Sequence, residues 1–292
     1  MLQLHRGDWM RNWVLILAFT AVPVFGDQAS LERARKLFDR TQYSAVLQTV
    51  SDSDSSGSVQ FLRGKALFML QDYKKATEAL EKAVAAEPGN SVYYHWLGKT
   101  YGRRAEIASP FTAPGYANKT RANFEKAVEL DNRNLEAIND LMEYYLEAPG
   151  FLGGGVDKAI RLVNLIQRVD QVEYHWALAT IAERKKDPKA AEEHLRTAME
   201  LAPMQVSRVL DMAKFYSKQG RVQESEAFFA KAEKMDPDNP KVLFEHAHSL
   251  IRTKKDLPAA KVMLQKYLNS KIGPEDPPRE EAQKLLASVN GA

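Results

Sequence analysis

Residues 149–158 come closest in this chain to the pattern of a phosphate-binding loop. Gly150 and Gly155 have the spacing of the two P-loop glycines, and backbone amides at the start of a helix can bind an anion. Val156 and Asp157, however, stand where a P-loop needs Lys followed by Ser or Thr. The pattern favours a glycine-rich insertion between two helices, and a ligand-binding or partner-binding loop is the alternative. The candidate residues of that loop are Phe151, Gly153, Gly154 and Gly155.

The other candidates for metal or catalytic chemistry each lack a required residue. Asp52–Gly57 begins like a calcium-binding loop, but Arg63 occupies the twelfth position, where a bidentate Glu is needed. His246 and His248 are roughly 200° apart around a helix and cannot bind one ion together. The chain has 0 Cys, which excludes disulfides, thiolate metal sites and cysteine nucleophiles. We therefore expect no enzyme, no cofactor and no metal site.

The overall composition is that of a folded protein without a nucleic-acid partner. Hydrophobic residues make up 45% of the 292 residues, which is enough to form a core. The 41 basic and 38 acidic residues leave a net charge of +3, and no segment of the chain concentrates the excess. Because nucleic-acid binding needs a basic patch or stripe, this distribution argues against it.

The first 26 residues have the pattern of an export signal. Arg6 and Arg11 precede an apolar run from Trp13 to Phe25, which is 13 residues long and too short to span a bilayer as a helix. We expect residues 1–26 to be a signal peptide cleaved after Gly26, which would leave no transmembrane span and place the protein in the periplasm or outside the cell. An uncleaved signal anchor that tethers the chain to a membrane is the alternative.

The rest of the chain repeats with a period of 34 residues. The pairs with this spacing are Gly64 and Gly98, Leu195 and Phe229, Ala198 and Ala232, and Pro203 and Pro237. The clearest unit, 206–239, contains Met212, Ala213, Tyr216, Gly220, Phe229, Ala232 and Pro237. In this pattern the chain resembles the tetratricopeptide repeat family, whose unit is a helix-turn-helix. Gly and Ala let the two helices approach closely, and the large apolar residues fill the gaps between neighbouring helices.

The resemblance implies an all-α fold, a right-handed α-solenoid of about seven helix-turn-helix units. The expected units lie near 27–56, 57–90, 91–134, 135–171, 172–205, 206–239 and 240–273. Residues 274–292 are expected to form a C-terminal helix that caps the last apolar face, because Pro278 lies near its start and Leu285 and Leu286 provide an apolar side.

The resemblance also implies a concave groove, lined mainly by the first helix of each unit. The family's groove positions correspond here to Phe61, Lys65, His95, Lys99, Arg103, Asn139, Trp176, Arg184, Lys214, Lys218, Phe244, His248 and Arg252. Such a groove would bind a protein or peptide partner, and we predict a non-enzymatic interaction scaffold or adaptor. The alternative is an accessory component of periplasmic solute transport or envelope assembly that binds a small ligand or a transporter subunit.

Two consecutive units carry insertions at the turn between their helices. One is the glycine-rich stretch, and the other is Ala108–Tyr116, which is expected to display Phe111 and Tyr116. Insertions at equivalent turns project from one side of a solenoid, so the two stretches are predicted to form a functional rim. Loop growth without function is the alternative.

Overall fold

A computed structural model of the protein describes residues 25–273, 276–277 and 279–290. This part of the chain is all-helical, with fifteen α-helices, one 3-10 helix at Gly150–Leu152 and no strand. The α-helices are α1 Phe25–Asp39, α2 Tyr43–Thr49, α3 Gly57–Met69, α4 Tyr73–Ala86, α5 Ser91–Ile107, α6 Ala113–Leu130, α7 Leu135–Glu147, α8 Val156–Val169, α9 Gln171–Arg184, α10 Pro188–Leu201, α11 Val206–Lys218, α12 Val222–Met235, α13 Pro240–Thr253, α14 Leu257–Asn269 and α15 Arg279–Asn290. Most of the predicted export signal, residues 1–24, lies outside the described residues.

The helices pack in chain order, which confirms the predicted α-solenoid. Each odd-numbered helix from α1 to α13 packs against the even-numbered helix that follows it, and each pair packs against the next pair along the chain. The first helices of most successive pairs also touch one another, so they form a continuous row. No helix in the described ranges is long and apolar enough to cross a bilayer.

Five of the turns within the pairs share one backbone conformation. At Thr41, Gln71, Lys186, Gly220 and Lys254 the chain adopts a φ between 54° and 72°, the left-handed region that ends many helices. In each turn the next amide donates to a carbonyl five residues earlier, as from Asp72 N to Leu67 O at 3.0 Å. The second helix therefore starts immediately and folds back on the first.

Close contact inside the pairs explains the repeated glycines. A Cβ atom at Gly98 would lie 2.5 Å from Cδ1 of Phe124, and one at Gly64 would lie 2.5 Å from Cγ of Leu80. Phe124 and Leu80 are buried, so their side chains have little room to move. Glycine at these two positions lets the first helix rest directly on the large side chain of the second.

The unit 91–134 differs from the sequence expectation. The last four residues of the predicted insertion Ala108–Tyr116 are helical, because α5 and α6 are 17 and 18 residues long and residues 108–112 alone connect them. Pro114 lies at the start of α6, where proline fits because the first amides of a helix have no intrahelical partner. The extra residues of this unit therefore lengthen both helices.

The end of the chain returns to its beginning. After α14 the backbone reaches the turn between α1 and α2, where the hydroxyl of Tyr43 donates to the carbonyl of Ile272 at 3.0 Å. Arg279, in α15, donates to the carbonyl of Ser270 at 2.6 Å and also to that of Leu268, which holds α15 against the end of α14. We call the contact of Ile272, Asp276 and Arg279 with the first two units the seam. The row of helices is thus curved enough for its two ends to meet.

Candidate functional site

The first helices line the inner side of the curve. The charges of Lys214 and Lys241, on α11 and α13, act on the carboxyl group of Glu143, on α7. These helices are two and three units apart along the chain, so only inward curvature brings their side chains within electrostatic range. The concave surface is therefore the face of α3, α5, α7, α9, α11 and α13 that points towards the centre of the curve.

Polar side chains link successive first helices along this surface. Asn139 donates to Glu173 at 3.2 Å, and Glu173 accepts from Arg208 at 3.0 Å, which joins α7, α9 and α11. Further along, Lys214 donates to Glu245 at 2.7 Å and joins α11 to α13. Equivalent links near the ends of these helices are Lys218 with Glu183 at 2.8 Å and Arg252 with Ser217. Several predicted groove cations therefore have partners within the chain.

At the N-terminal end the predicted groove residues form an aromatic and cationic cluster. Nζ of Lys65 lies 4.4 Å from the ring centre of Phe38 and 4.8 Å from that of Trp96. The ring of Phe61 stacks on Tyr93 at 4.6 Å, and Lys99 approaches Trp96 at 4.9 Å. These side chains hold the first units together through aromatic and cation–π contacts.

At the C-terminal end five predicted groove residues meet in one recess. Lys214, Lys218, Phe244, His248 and Arg252 contribute to a cavity of about 500 Å³ between α11, α13 and the start of α15. The further lining residues are Ser217, Phe229, Lys241, Glu245, Ser249, Asp276, Pro277 and Glu281. We call this cavity the recess.

Two predicted groove residues are too deeply buried to contact a partner. His95 is enclosed beside Phe124, and its Nε2 lies 2.7 Å from Asp140, so it belongs to the contact between α5 and α7. Phe244 is buried against Tyr267 and leaves little ring surface in the recess. The expectation that these two side chains are open to a partner is corrected, because the helices approach more closely there than the linear spacing indicates.

The guanidinium of Arg103, on α5, bonds Tyr73 and Glu106, and two further predicted groove residues lie on α9. Trp176 is half-buried and packs on two adjoining cores, one formed by α7 and α8 and the other by α10 and α11. Arg184 is exposed at the end of the helix. Of the two side chains, only that of Arg184 is fully open to solvent.

Burial and neighbouring charge shift the protonation of the concave side chains. Burial disfavours the charged form of Lys214 and by itself would lower its pKa. The charge and the hydrogen bond of Glu245 outweigh this effect, so the pKa of Lys214 is raised. Burial raises the pKa of Asp211, although Arg208 and Lys214 act in the opposite direction. The pKa of Glu143 rises to about 7, first because the surrounding protein limits its hydration and then because Asp140 and Glu147 are near.

Glu143 is expected to make folding stability depend on pH. The pKa of Glu143 in the folded protein lies above its ordinary value of 4.5, so the folded state binds the carboxyl proton more tightly than the unfolded state does. The contribution of Glu143 to folding stability therefore falls as the pH rises from about 4.5 to 7. The side chain lies inside the curve but keeps access to solvent, so screening limits the loss to about 1 kcal/mol. Glu143→Gln should therefore stabilise the protein at pH 8 and have no such effect at pH 4. Urea unfolding of both proteins at the two pH values measures this, and an equal difference at both would contradict it.

The backbone amides of residues 152–155 in the glycine-rich loop bond within the loop or to α7 and are not available to an anion. The N–H groups of Leu152 and Gly154 donate to Pro149 O at 2.9 and 3.2 Å, and that of Gly155 donates to Tyr145 O at 2.7 Å. The ammonium group of Lys158, which follows the loop, donates to Gly153 O at 2.7 Å and so bonds a backbone carbonyl of the loop. The loop is therefore held closed by its own hydrogen bonds.

The tips of the two inter-helix connections differ in exposure. Phe111 is 95% exposed and Phe151 is 81% exposed, so both rings are accessible to solvent. Tyr116 is not, because it lies in the first turns of α6, where its hydroxyl accepts from Arg104 at 2.6 Å and its ring stacks on Tyr101. The expectation that Tyr116 is displayed is therefore corrected. Whether Phe111 and Phe151 contact a partner remains a prediction.

The calcium-like loop is occupied by basic side chains of the chain itself. Asp52 pairs with Arg63 at 3.4 Å and with Lys82 at 3.3 Å, and Gln60 donates to its carbonyl at 2.9 Å. Among the described residues, no group of three or more His, Asp or Glu side chains is placed to hold a metal ion.

Sequence reasoning missed two acidic partners on the concave surface. Asp140 and Glu245 were not among its groove positions, which did include Glu173 and Glu183, and each contacts a groove residue. The sequence carries a signal for such contacts, because Asn139 and Glu173 are separated by 34 residues, one repeat period. Polar residues one repeat apart on first helices become neighbours in a solenoid.

Comparison with known proteins identifies the repeats. Two models of the tetratricopeptide repeat match the chain, over residues 183–244 and 58–90. A tetratricopeptide repeat protein from Parabacteroides merdae is similar, with 11% identity, a TM-score of 0.60, and coverage of 91% of this chain and 99% of that one. A thermophilic tetratricopeptide repeat protein of Thermus thermophilus has 18% identity and a TM-score of 0.51, and the match covers 69% of this chain and 98% of that one. The chain therefore carries tetratricopeptide repeats, and its fold is a solenoid of such helix-turn-helix units.

Proposed function

We propose that this chain is a non-enzymatic scaffold that binds a protein or peptide segment on its concave surface. The general class is supported by the tetratricopeptide repeats, since proteins built of them are generally interaction scaffolds. The observation that carries the proposal is the recess, a cavity of about 500 Å³ that gathers cations from α11 and α13 on the inner side of the curve.

The charges of the recess favour an acidic partner segment. Lys241 and His248 make no ion pair within the described part of the chain, and the guanidinium of Arg252 bonds only the hydroxyl of Ser217 there. The acidic lining residues are Glu245, Asp276 and Glu281, and Glu245 is already paired with Lys214. Carboxylates of a partner would form charge-assisted hydrogen bonds with Lys241 and Arg252. We propose that the partner inserts an Asp-rich or Glu-rich segment here.

We also propose that the chain acts after export. The basic and apolar pattern of residues 1–26 supports this, because it has the length and order of a signal peptide. A partner is therefore to be sought first among envelope and secreted proteins.

The experiment compares two double variants that remove the same number of charges. Lys241→Gln with Arg252→Gln alters the recess, while Lys189→Gln with Lys234→Gln alters exposed side chains of the second helices α10 and α12. Full-length protein is used to capture partners from an envelope extract, and the captured protein is then purified and titrated against all three forms. We expect the recess variant to bind at least 10-fold more weakly, because each lost charge-assisted bond contributes roughly 1.5–3 kcal/mol.

The control variant decides how a loss of binding is interpreted. It should bind like the parent, since its substitutions leave the concave surface unchanged. Equal affinity for parent and recess variant, with both folded by circular dichroism, would contradict the proposed site. Equal weakening of both variants would show that net charge alone governs binding, which would also contradict it.

A further inference from the structure

A second cavity lies at the seam, where the end of the chain meets its first two units. It has a volume of about 410 Å³ and lies between the turns of the first two helix pairs, α5 and the backbone that follows α14. Cavities of roughly 300–1,000 Å³ are typical of small-molecule sites. No single repeat has these walls, because the segments that form them are separated by up to 229 residues, as in the bond from Tyr43 to Ile272.

The walls of this cavity are mainly apolar and aromatic. The apolar lining consists of Tyr43, Phe68, Met69, Leu70, Tyr73 and Ile272. Leu70 remains 42% exposed, although it lies beside buried rings. Phe68 contacts the rings of both Tyr73 and Trp96, at 5.4 and 5.5 Å, so one wall of the cavity is rigid. Such a surface favours a planar or compact apolar group over water.

Cations outnumber carboxylates among the polar lining residues of the cavity. Among the described lining residues, Lys99, Arg103 and Arg279 stand beside the carboxylate of Asp276, and the charge of Glu281 also acts on Arg103. Asp276 already accepts a hydrogen bond from the amide of Gly273 at 2.7 Å. The guanidinium of Arg103 bonds Tyr73 and Glu106, and its other N–H groups make no hydrogen bond within the described residues.

We propose that the seam cavity binds a small amphipathic carboxylate. The apolar or aromatic body of this ligand lies against Phe68, Leu70 and Ile272, and its carboxylate accepts hydrogen bonds from Arg103. This site goes beyond the proposed scaffold function, because it takes a small molecule at the seam, whereas the scaffold takes a protein segment in the recess. A ligand held there contacts both ends of the solenoid and therefore strengthens their contact.

The test uses 2-naphthoate as the probe and isothermal titration of the full-length protein. Its uncharged analogue 2-naphthylmethanol has the same ring system and no carboxylate. We expect one molecule of naphthoate to bind per chain, at least 10-fold more tightly than the alcohol, because only the carboxylate bonds the guanidinium. Arg103→Gln should remove this difference and retain binding of the alcohol.

A pair of matched variants locates the probe. Leu70→Trp places a larger side chain in the cavity, and Leu201→Trp makes the same change at another exposed leucine, which is 52% exposed on α10. We expect naphthoate to bind at least 10-fold more weakly to the first and unchanged to the second. No binding to the parent at millimolar naphthoate, or equal binding to both variants, would overturn the proposal.

The recess variant Lys241→Gln with Arg252→Gln separates this site from the scaffold function. It should bind naphthoate like the parent even where it has lost the protein partner, because neither residue lines the seam cavity. Loss of naphthoate binding in this folded variant would place the probe in the recess and overturn the seam assignment.

Discussion

Phe229→Ala is expected to lower the free energy of unfolding by about 3–5 kcal/mol, the usual cost of removing a fully buried aromatic ring. Phe229 is 0% exposed and lies between α11, α12 and α13. The imidazole of His246 is nearly parallel to its ring, with centres 4.3 Å apart. Alanine would leave a cavity there, since the three helices are also held by neighbouring contacts and cannot collapse into it.

The matched control is Phe111→Ala, at a ring that is 95% exposed. It should change stability by less than about 0.5 kcal/mol. Urea unfolding measures the global effect, and hydrogen exchange of the amides in α11–α13 measures the local one, because units of a repeat protein can open separately. Similar effects of the two substitutions would contradict the packing described for Phe229.

Gly154→Ala is expected to destabilise the glycine-rich loop by about 2–3 kcal/mol. A Cβ atom at this position would lie 1.7 Å from the carbonyl oxygen of Ala148, which is part of the backbone and cannot rotate away. The loop would have to open, and opening breaks the bonds that Gly154 and Gly155 donate to Pro149 and Tyr145.

Gly150→Ala is the control within the same loop, because no atom lies within 4 Å of a Cβ at that position. We expect this variant to be as stable as the parent. Hydrogen exchange at Gly155 and thermal unfolding of both variants provide the measurement. A Gly154→Ala protein with parental stability would show that the loop is open in solution, and its amides would then be available to a ligand.

The helix pairs were predictable because their contacts are local in sequence. Gly98 and Phe124, or Gly64 and Leu80, lie within one unit, and the residue types needed for close approach are visible in the repeat itself. The unit 91–134 was predicted less well. The stretch around Pro114 reads as a loop by composition, but proline at the first turn of a helix is equally compatible with the longer α6.

The candidate site was predictable only in part. Of the residues at the family positions, the structure brings Lys214, Lys218, His248 and Arg252 together in the recess, and their contact with a partner stays a prediction. They did not indicate that His95 is buried against α7. Burial of His95 depends on the distance between neighbouring units. That distance is set by side chains from three helices at once, so no single segment of the sequence indicates it.

The sequence by itself determined the helix-turn-helix unit, its period and its close-packed glycines, because each of these rests on contacts between residues less than one repeat apart. The tertiary structure alone decided which cations are paired across units, where the recess lies and that a cavity forms at the seam. The bond between Tyr43 and Ile272 spans 229 residues. Its formation depends on the small rotation between each unit and the next, which accumulates along the solenoid until the two ends meet.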